Sequence, residues 1–167
     1  MIFITTGTAH FPFTRLVDTV IDHYQHSLQT PVVIQSGFYN LQSPAKHIKI
    51  CQYYKPHIFT YYLKTANLIV TAAGEATIHQ TLACAKNKPI IFPRLHKYSE
   101  HVDDQQRSIA RYFDKRHLAF VATTTSKLNR YLDLPPTQLK HHFQLSKPYT
   151  TIRLLDDLCR DLSATKP

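Results

Sequence analysis

The residues in this sequence best suited to chemistry lie between positions 66 and 107. There an apolar strand, a glycine-bearing turn, a helix and a second strand lead into Pro93-Arg94 and the polar run Glu100-His101-Val102-Asp103-Asp104-Gln105-Gln106. Asn67-Leu68-Ile69-Val70 reads as a buried parallel strand and Thr71-Ala72-Ala73-Gly74 as its turn. From Thr77 onward the chain reads as a helix whose first amides lie open to an anion. That order builds a site for a phosphorylated ligand at the ends of strands. Gly7 repeats the arrangement after the first strand. The hydroxyls of Thr5, Thr6 and Thr8 beside it, and of Thr77 beside Gly74, suit a phosphate or a ribose. The imidazole of His101 suits donation to a substrate oxygen or proton transfer.

The elements that must position these groups alternate along the chain. Strands are expected at residues 1–5, 32–35, 48–50, 67–71, 89–92 and 118–121, with helices at 13–29, 56–65, 76–86, 103–114 and 126–132. The repeated strand–helix order predicts a parallel α/β sheet with helices on both faces. Residues 152–162 carry apolar positions at helical spacing and are expected to close the domain as a last helix or, equally, to meet a partner. Each of the three glycines, Gly7, Gly37 and Gly74, falls where a parallel strand ends and the chain must turn.

The chain has 167 residues, 43% of them hydrophobic, which suits one compact domain over residues 1–167. The N-terminal residues lack a charged leader, and no apolar run approaches the roughly 18 to 20 residues that span a bilayer, so a cytoplasmic protein is expected. Cys51, Cys84 and Cys159 share no ligand-like spacing and are expected as reduced thiols. The net charge of +9 calls for anionic partners. Its basic residues are scattered and no nucleic-acid motif accompanies them, which favours phosphorylated substrates and peripheral attachment at a membrane face over nucleic acid.

Other chemistries are disfavoured. His96 and His101 lack a third ligand nearby, and the pair His141-His142 has none either, so no metal site is expected. Ser99 lacks a nucleophile elbow. Thr6-Gly7-Thr8 lacks the glycine series that dinucleotide binding requires. Tyr53, Tyr54, Tyr61 and Tyr62 resemble a stacking surface for a base or a partner, but their spacing favours packing a helix on a sheet.

Four segments together carry a resemblance: Met1-Ile2-Phe3-Ile4-Thr5-Thr6-Gly7-Thr8 with Pro12-Phe13-Thr14-Arg15-Leu16-Val17; Ile69-Val70-Thr71-Ala72-Ala73-Gly74-Glu75-Ala76-Thr77-Ile78; Lys88-Pro89-Ile90-Ile91-Phe92-Pro93-Arg94; and the run from Glu100 to Gln106. Over roughly the first 120 residues the chain resembles the C-terminal domain of family 28 glycosyltransferases. It is most similar to the free-standing versions, the PssE-type subunits of capsule and exopolysaccharide glycosyltransferases and the soluble subunit of the dolichol-linked GlcNAc transferase. The resemblance implies a Rossmann-like fold, the C-terminal half of a GT-B enzyme, that binds a UDP-sugar donor without a metal. It also implies a separate membrane-associated subunit that holds a lipid-linked acceptor.

The resemblance further implies roles for particular residues. Gly74, Ala76 and Thr77 would present helix amides to the donor diphosphate, with Thr6, Gly7 and Thr8 at the neighbouring turn. Gln80 would stand where relatives hold the ribose. Gln105, Gln106 and Asp104 would contact the sugar or its phosphates, Arg94 would neutralise phosphate charge, and Glu100 and His101 would act at the reacting centre. The sequence departs from the family at the turn, where His-Gly-Gly is replaced by Ala72-Ala73-Gly74 followed by Glu75. Ala73 then needs a backbone conformation open to alanine, and Glu75 would repel a diphosphate if it faced the site. The alternative implied by that departure is a non-catalytic assembly or regulatory module that keeps the fold.

Overall fold

The computed structural model describes residues 1–135 and 137–140; the expected closing helix at 152–162, the pair His141-His142 and Cys159 lie outside the described residues. Six parallel strands form one sheet in the order β3-β2-β1-β4-β5-β6. They are β1 (Ile2–Thr5), β2 (Val32–Gln35), β3 (Ile48–Cys51), β4 (Leu68–Thr71), β5 (Ile90–Ile91) and β6 (Phe120–Val121). The helices are α1 (Thr14–Tyr24), α2 (Pro56–Thr65), α3 (Glu75–Cys84), α4 (Gln105–Lys115) and α5 (Thr125–Leu132). This is the expected Rossmann-like α/β architecture.

The three central strands are buried at every position, and that burial explains why they read as unbroken apolar runs without alternation. Ile2 and Ile4 of β1, Val32 and Ile34 of β2, and Leu68 and Val70 of β4 face one side, where they pack with Leu16, Val17 and Val20 of α1 and Leu128 and Leu132 of α5. Phe3, Val33 and Ile69 face the other side and meet Leu63 of α2. On that same side Ile91 and Val121 pack with Ile78 and Leu82 of α3 and with Ile109 and Phe113 of α4. Helices therefore cover both faces. None of the described helices is long and apolar enough to cross a membrane.

Several boundaries differ from the sequence reading. Helix α1 stops at Tyr24 and does not reach residue 29. The next apolar residue at helical spacing, Leu28, is 78% exposed, so a longer helix would have no core to cover there. Helix α3 begins at Glu75, one residue earlier than expected, and α4 begins at Gln105, two residues later. Helix α5 starts at a true cap, where the Thr124 hydroxyl accepts from the Lys127 amide at 3.2 Å.

The order of the sheet decides where a ligand can sit. From β1 the chain crosses outward to β2 and β3, then returns to β4 on the other side of β1 and continues to β6. The connections diverge between β1 and β4, and a crevice opens outside their C-terminal ends. The turns bordering that crevice pack tightly. Gly37, after β2, has φ +60, and a β-carbon there would lie 2.8 Å from Thr6 Oγ1 and 3.1 Å from the Gly7 carbonyl. Gly37→Ala is therefore expected to lower stability by about 2 kcal/mol, from left-handed backbone strain plus overpacking. Urea denaturation reads this directly, and an unchanged midpoint would contradict the packing described.

Candidate functional site

Three turns converge at the crevice. After β1, the Thr6 amide and hydroxyl both donate to the Gln35 carbonyl, at 3.0 and 3.2 Å, and Gly7 turns away at φ +75 with its amide on Thr5 Oγ1 at 3.2 Å. After β4, the Ala72 amide donates to the Thr5 carbonyl at 3.1 Å. Gln106, at the start of α4, ties the β4 turn to the β5 turn, because its Oε1 accepts from the Ala73 amide at 3.1 Å and the Arg94 amide at 3.0 Å. Both partners are donors, which identifies that atom as the amide oxygen and makes the NH2 the remaining end of the side chain. Ala73 holds no positive φ and so tolerates its methyl group. Gly74 has φ −77, so the backbone conformation there does not require glycine.

Helix α3 then begins with no side-chain cap on its N-terminal amides. Its first turn, with Thr6, Gly7 and Thr8 opposite and Arg94, His101 and Gln106 below and beside it, encloses a cleft of about 320 Å³. A second cleft of about 220 Å³ adjoins it and shares Gly7, Thr8 and Thr77, but its far wall is Tyr53, Tyr54, Pro56 and Phe59. The first compartment is polar and the second aromatic. Burial pushes the Tyr54 phenol up to about 12, with smaller contributions from Tyr62 and Cys51, so this wall is uncharged at neutral pH. Tyr54 and Tyr62 also pack on Phe3, as the spacing of the tyrosines implies, whereas Tyr53 and Tyr61 are exposed.

Two arginines organise the floor. Arg94 is 1% exposed, and its Nη1 donates to the carbonyls of Phe11 (2.8 Å) and Glu100 (3.0 Å) while Nη2 donates to that of Thr6 (2.8 Å). Its Nε is buried without a partner. Desolvation lowers its pKa to about 10, opposed by the Glu100 charge, and it remains a cation at neutral pH. Arg94 is thus first a scaffold for the loops, and it meets the cleft as buried positive charge. Arg15 makes a fork–fork pair with Glu100, Nε to Oε1 and Nη2 to Oε2, each at 2.7 Å. Its Nη2 also donates to the Pro93 carbonyl at 2.8 Å, and its guanidinium lies 4.1 Å from the Phe92 ring centre.

The sequence-predicted residues divide accordingly. Thr6, Gly7, Thr8, Gly74, Ala76, Thr77, Arg94, His101 and Gln106 all line the polar cleft. Gln80 lines only the aromatic compartment, exposed, with its Nε2 on Thr60 Oγ1 at 3.3 Å. Glu100 requires a correction: both carboxylate oxygens are bound to Arg15, and Oε2 also accepts the Leu95 amide at 2.9 Å, so it holds the loop in shape and is not free to act on a ligand. Asp104 lies outside the cleft with Oδ1 on the His96 amide at 2.9 Å, and Gln105 is exposed at the start of α4 with its amide on Asp103 Oδ1 at 3.0 Å. His101 Nδ1 lies 2.9 Å from Asp103 Oδ1. A carboxylate can only accept, so the contact with Asp103 requires a proton on Nδ1, and in the neutral ring Nε2 is then an acceptor.

Arg15 and Gln35 were missed by sequence reasoning, which placed Tyr53 and Tyr54 in helix–sheet packing ahead of a stacking surface. The sole signal for Arg15 was a cation beside Pro12-Phe13, and its partner lies 85 residues away. Among the described residues, no group of three His, Cys, Asp or Glu side chains could hold a metal ion. A larger groove of about 380 Å³ lies at the opposite, N-terminal end of the strands, but among the described residues no charged side chain lines it. Removing one partner of the buried pair, as in Glu100→Gln or Arg15→Ala, is expected to cost about 3 kcal/mol of stability. Thermal and urea unfolding of both single variants and of the double variant test this, and full stability in Glu100→Gln would contradict the positioning role.

Comparison with known proteins agrees with this geometry. Residues 1–147 match the profile of the glycosyltransferase family 28 C-terminal domain. No curated protein matches the chain. Among solved structures, the crystal structure of the glycotransferase of kitacinnamycin is similar in fold, with a TM-score of 0.59 and 16% identity. The similarity covers 98% of this chain and 39% of that one, so the chain spans well under half the length of that neighbour. The chain belongs to the family of glycosyltransferase family 28 C-terminal domains.

Proposed function

We propose that this chain is the donor-binding subunit of a two-component inverting glycosyltransferase that moves a sugar from a UDP-sugar to a lipid-linked or glycan acceptor. The observation that carries the reading is the pair of joined clefts at the switch point, one aromatic and one polar, meeting at Gly7, Thr8 and the uncapped start of α3. A uracil fits the aromatic wall of Tyr53, Tyr54 and Phe59. The diphosphate belongs at the shared residues, where the amides of Ala76 and Thr77, the Thr77 hydroxyl and the positive charge of Arg94 face it. The sugar then lies toward His101 and Gln106.

In this reading the acceptor hydroxyl oxygen attacks the anomeric carbon, the bond from that carbon to the diphosphate oxygen breaks, and UDP leaves. Negative charge grows on the departing diphosphate, and the helix amides and Arg94 stabilise it as it forms, without a resident metal. In the neutral ring, His101 Nε2 takes a hydrogen bond from a sugar hydroxyl while Nδ1 faces Asp103. The base that deprotonates the acceptor comes from the partner subunit, the missing half of a GT-B enzyme. That partner also holds this basic chain at the cytoplasmic face of the membrane.

Calorimetric titration tests the donor site. UDP is expected to bind saturably, and Thr77→Ala is expected to weaken it about fivefold by removing one hydrogen bond to phosphate. The isolated chain is expected to transfer no sugar until the acceptor-binding subunit is added. Absence of UDP binding at millimolar concentration in a folded sample, or transfer at full rate by the chain alone, would overturn the proposal. The first of these results would favour the assembly-module reading.

A further inference from the structure

One charged group in the polar cleft has no evident role in holding a diphosphate. Glu75, the first residue of α3, lines this cleft, and among the described residues its carboxylate makes no hydrogen bond or ion pair. The ionisable side chain one turn along, His79, is pushed toward its neutral form by burial, an effect the Glu75 charge only partly opposes. The α3 dipole favours a carboxylate at this end of the helix, but no side chain of the helix pairs with it.

The two joined compartments indicate which part of a ligand meets that charge. Glu75 borders the polar cleft and not the aromatic one, and the residues shared by the two clefts are Gly7, Thr8 and Thr77. With the base against Tyr53 and Tyr54 and the diphosphate at the shared residues, Glu75 falls on the far side of the phosphates, beside the sugar together with His101 and Gln106. A side chain at the first position of a helix also projects beyond the helix N-terminus. There a carboxylate can only accept hydrogen bonds, so it favours a hydroxyl-bearing sugar and disfavours an anionic one.

Building on the donor reading above, we propose that Glu75 is a specificity residue that selects nucleotide sugars with an uncharged hexose and rejects those bearing a uronate carboxylate. The charge that weakens the general attraction of this cleft for anions is thereby put to use in choosing between donors.

The test is a competition titration of the full chain with UDP, UDP-glucose and UDP-glucuronate, for the wild type and for Glu75→Gln, which keeps the shape of the side chain. The wild type is expected to bind UDP-glucose about tenfold more tightly than UDP-glucuronate, a ratio set by like-charge repulsion across a partly solvated site. In Glu75→Gln that ratio is expected to fall close to one, with UDP itself bound as well as or slightly better than before. Equal ratios in the two proteins, with UDP binding intact, would overturn the role of Glu75 alone. If neither protein binds UDP, the donor reading beneath it falls as well.

Discussion

The site depends on one buried cation. Arg94 reaches from the end of β5 to the carbonyls of Thr6, Phe11 and Glu100, and so joins the loop after β1 to the loop before α4. A guanidinium that is 1% exposed would carry a heavy desolvation penalty without such partners. Three carbonyl dipoles, the Phe13 ring 4.5 Å from its carbon centre and the nearby Glu100 charge offset that penalty. Glu100 is fixed in turn by Arg15. The two arginines and one carboxylate leave a net positive charge beneath the cleft, held by protein dipoles and not by solvent.

That arrangement links the fold to function. A parallel sheet with this strand order opens a crevice between β1 and β4 whatever its side chains. Here the turn after β1, the start of α3 and the loop after β5 all border that crevice, and Gln106 ties the turn after β4 to the loop after β5 through a single oxygen. In the proposed reaction such groups need not reorganise as charge develops on a leaving diphosphate, the condition under which electrostatic stabilisation is most effective. The neighbour with the same fold is a much longer chain, of which this one covers 39%.

Much of the fold was legible in the sequence, because the central strands are buried on both faces and are written as apolar runs such as Leu68-Ile69-Val70-Thr71. The positions of Gly7 and Gly37 were legible for a similar reason, since positive φ at a strand end leaves little choice of residue. Helix ends were less so: nothing local marks Tyr24 as the last residue of α1, because the limit is set by where the sheet stops offering a surface. The roles of Glu100 and Arg94 were the least legible. A Glu beside a His in a polar loop looks available for chemistry, and only the tertiary contact with Arg15 shows that both its oxygens are occupied. The tyrosines were legible as a possible stacking surface, but not which of them form it, because Tyr53 and Phe59 lie six positions apart with a helix start between them and converge only through the path of the chain.

The most direct test of the central claim, that a uridine diphosphate donor binds at the switch point between β1 and β4, is a titration of the isotope-labelled chain with UDP followed by backbone amide resonances. The account predicts saturable shifts centred on Gly7, Thr8, Ala76 and Thr77 and extending to Tyr53 and Tyr54, with the amides around Leu132 and Leu139 at the opposite end of the sheet unmoved. Shifts centred on that opposite groove, or none at saturating UDP, would contradict it.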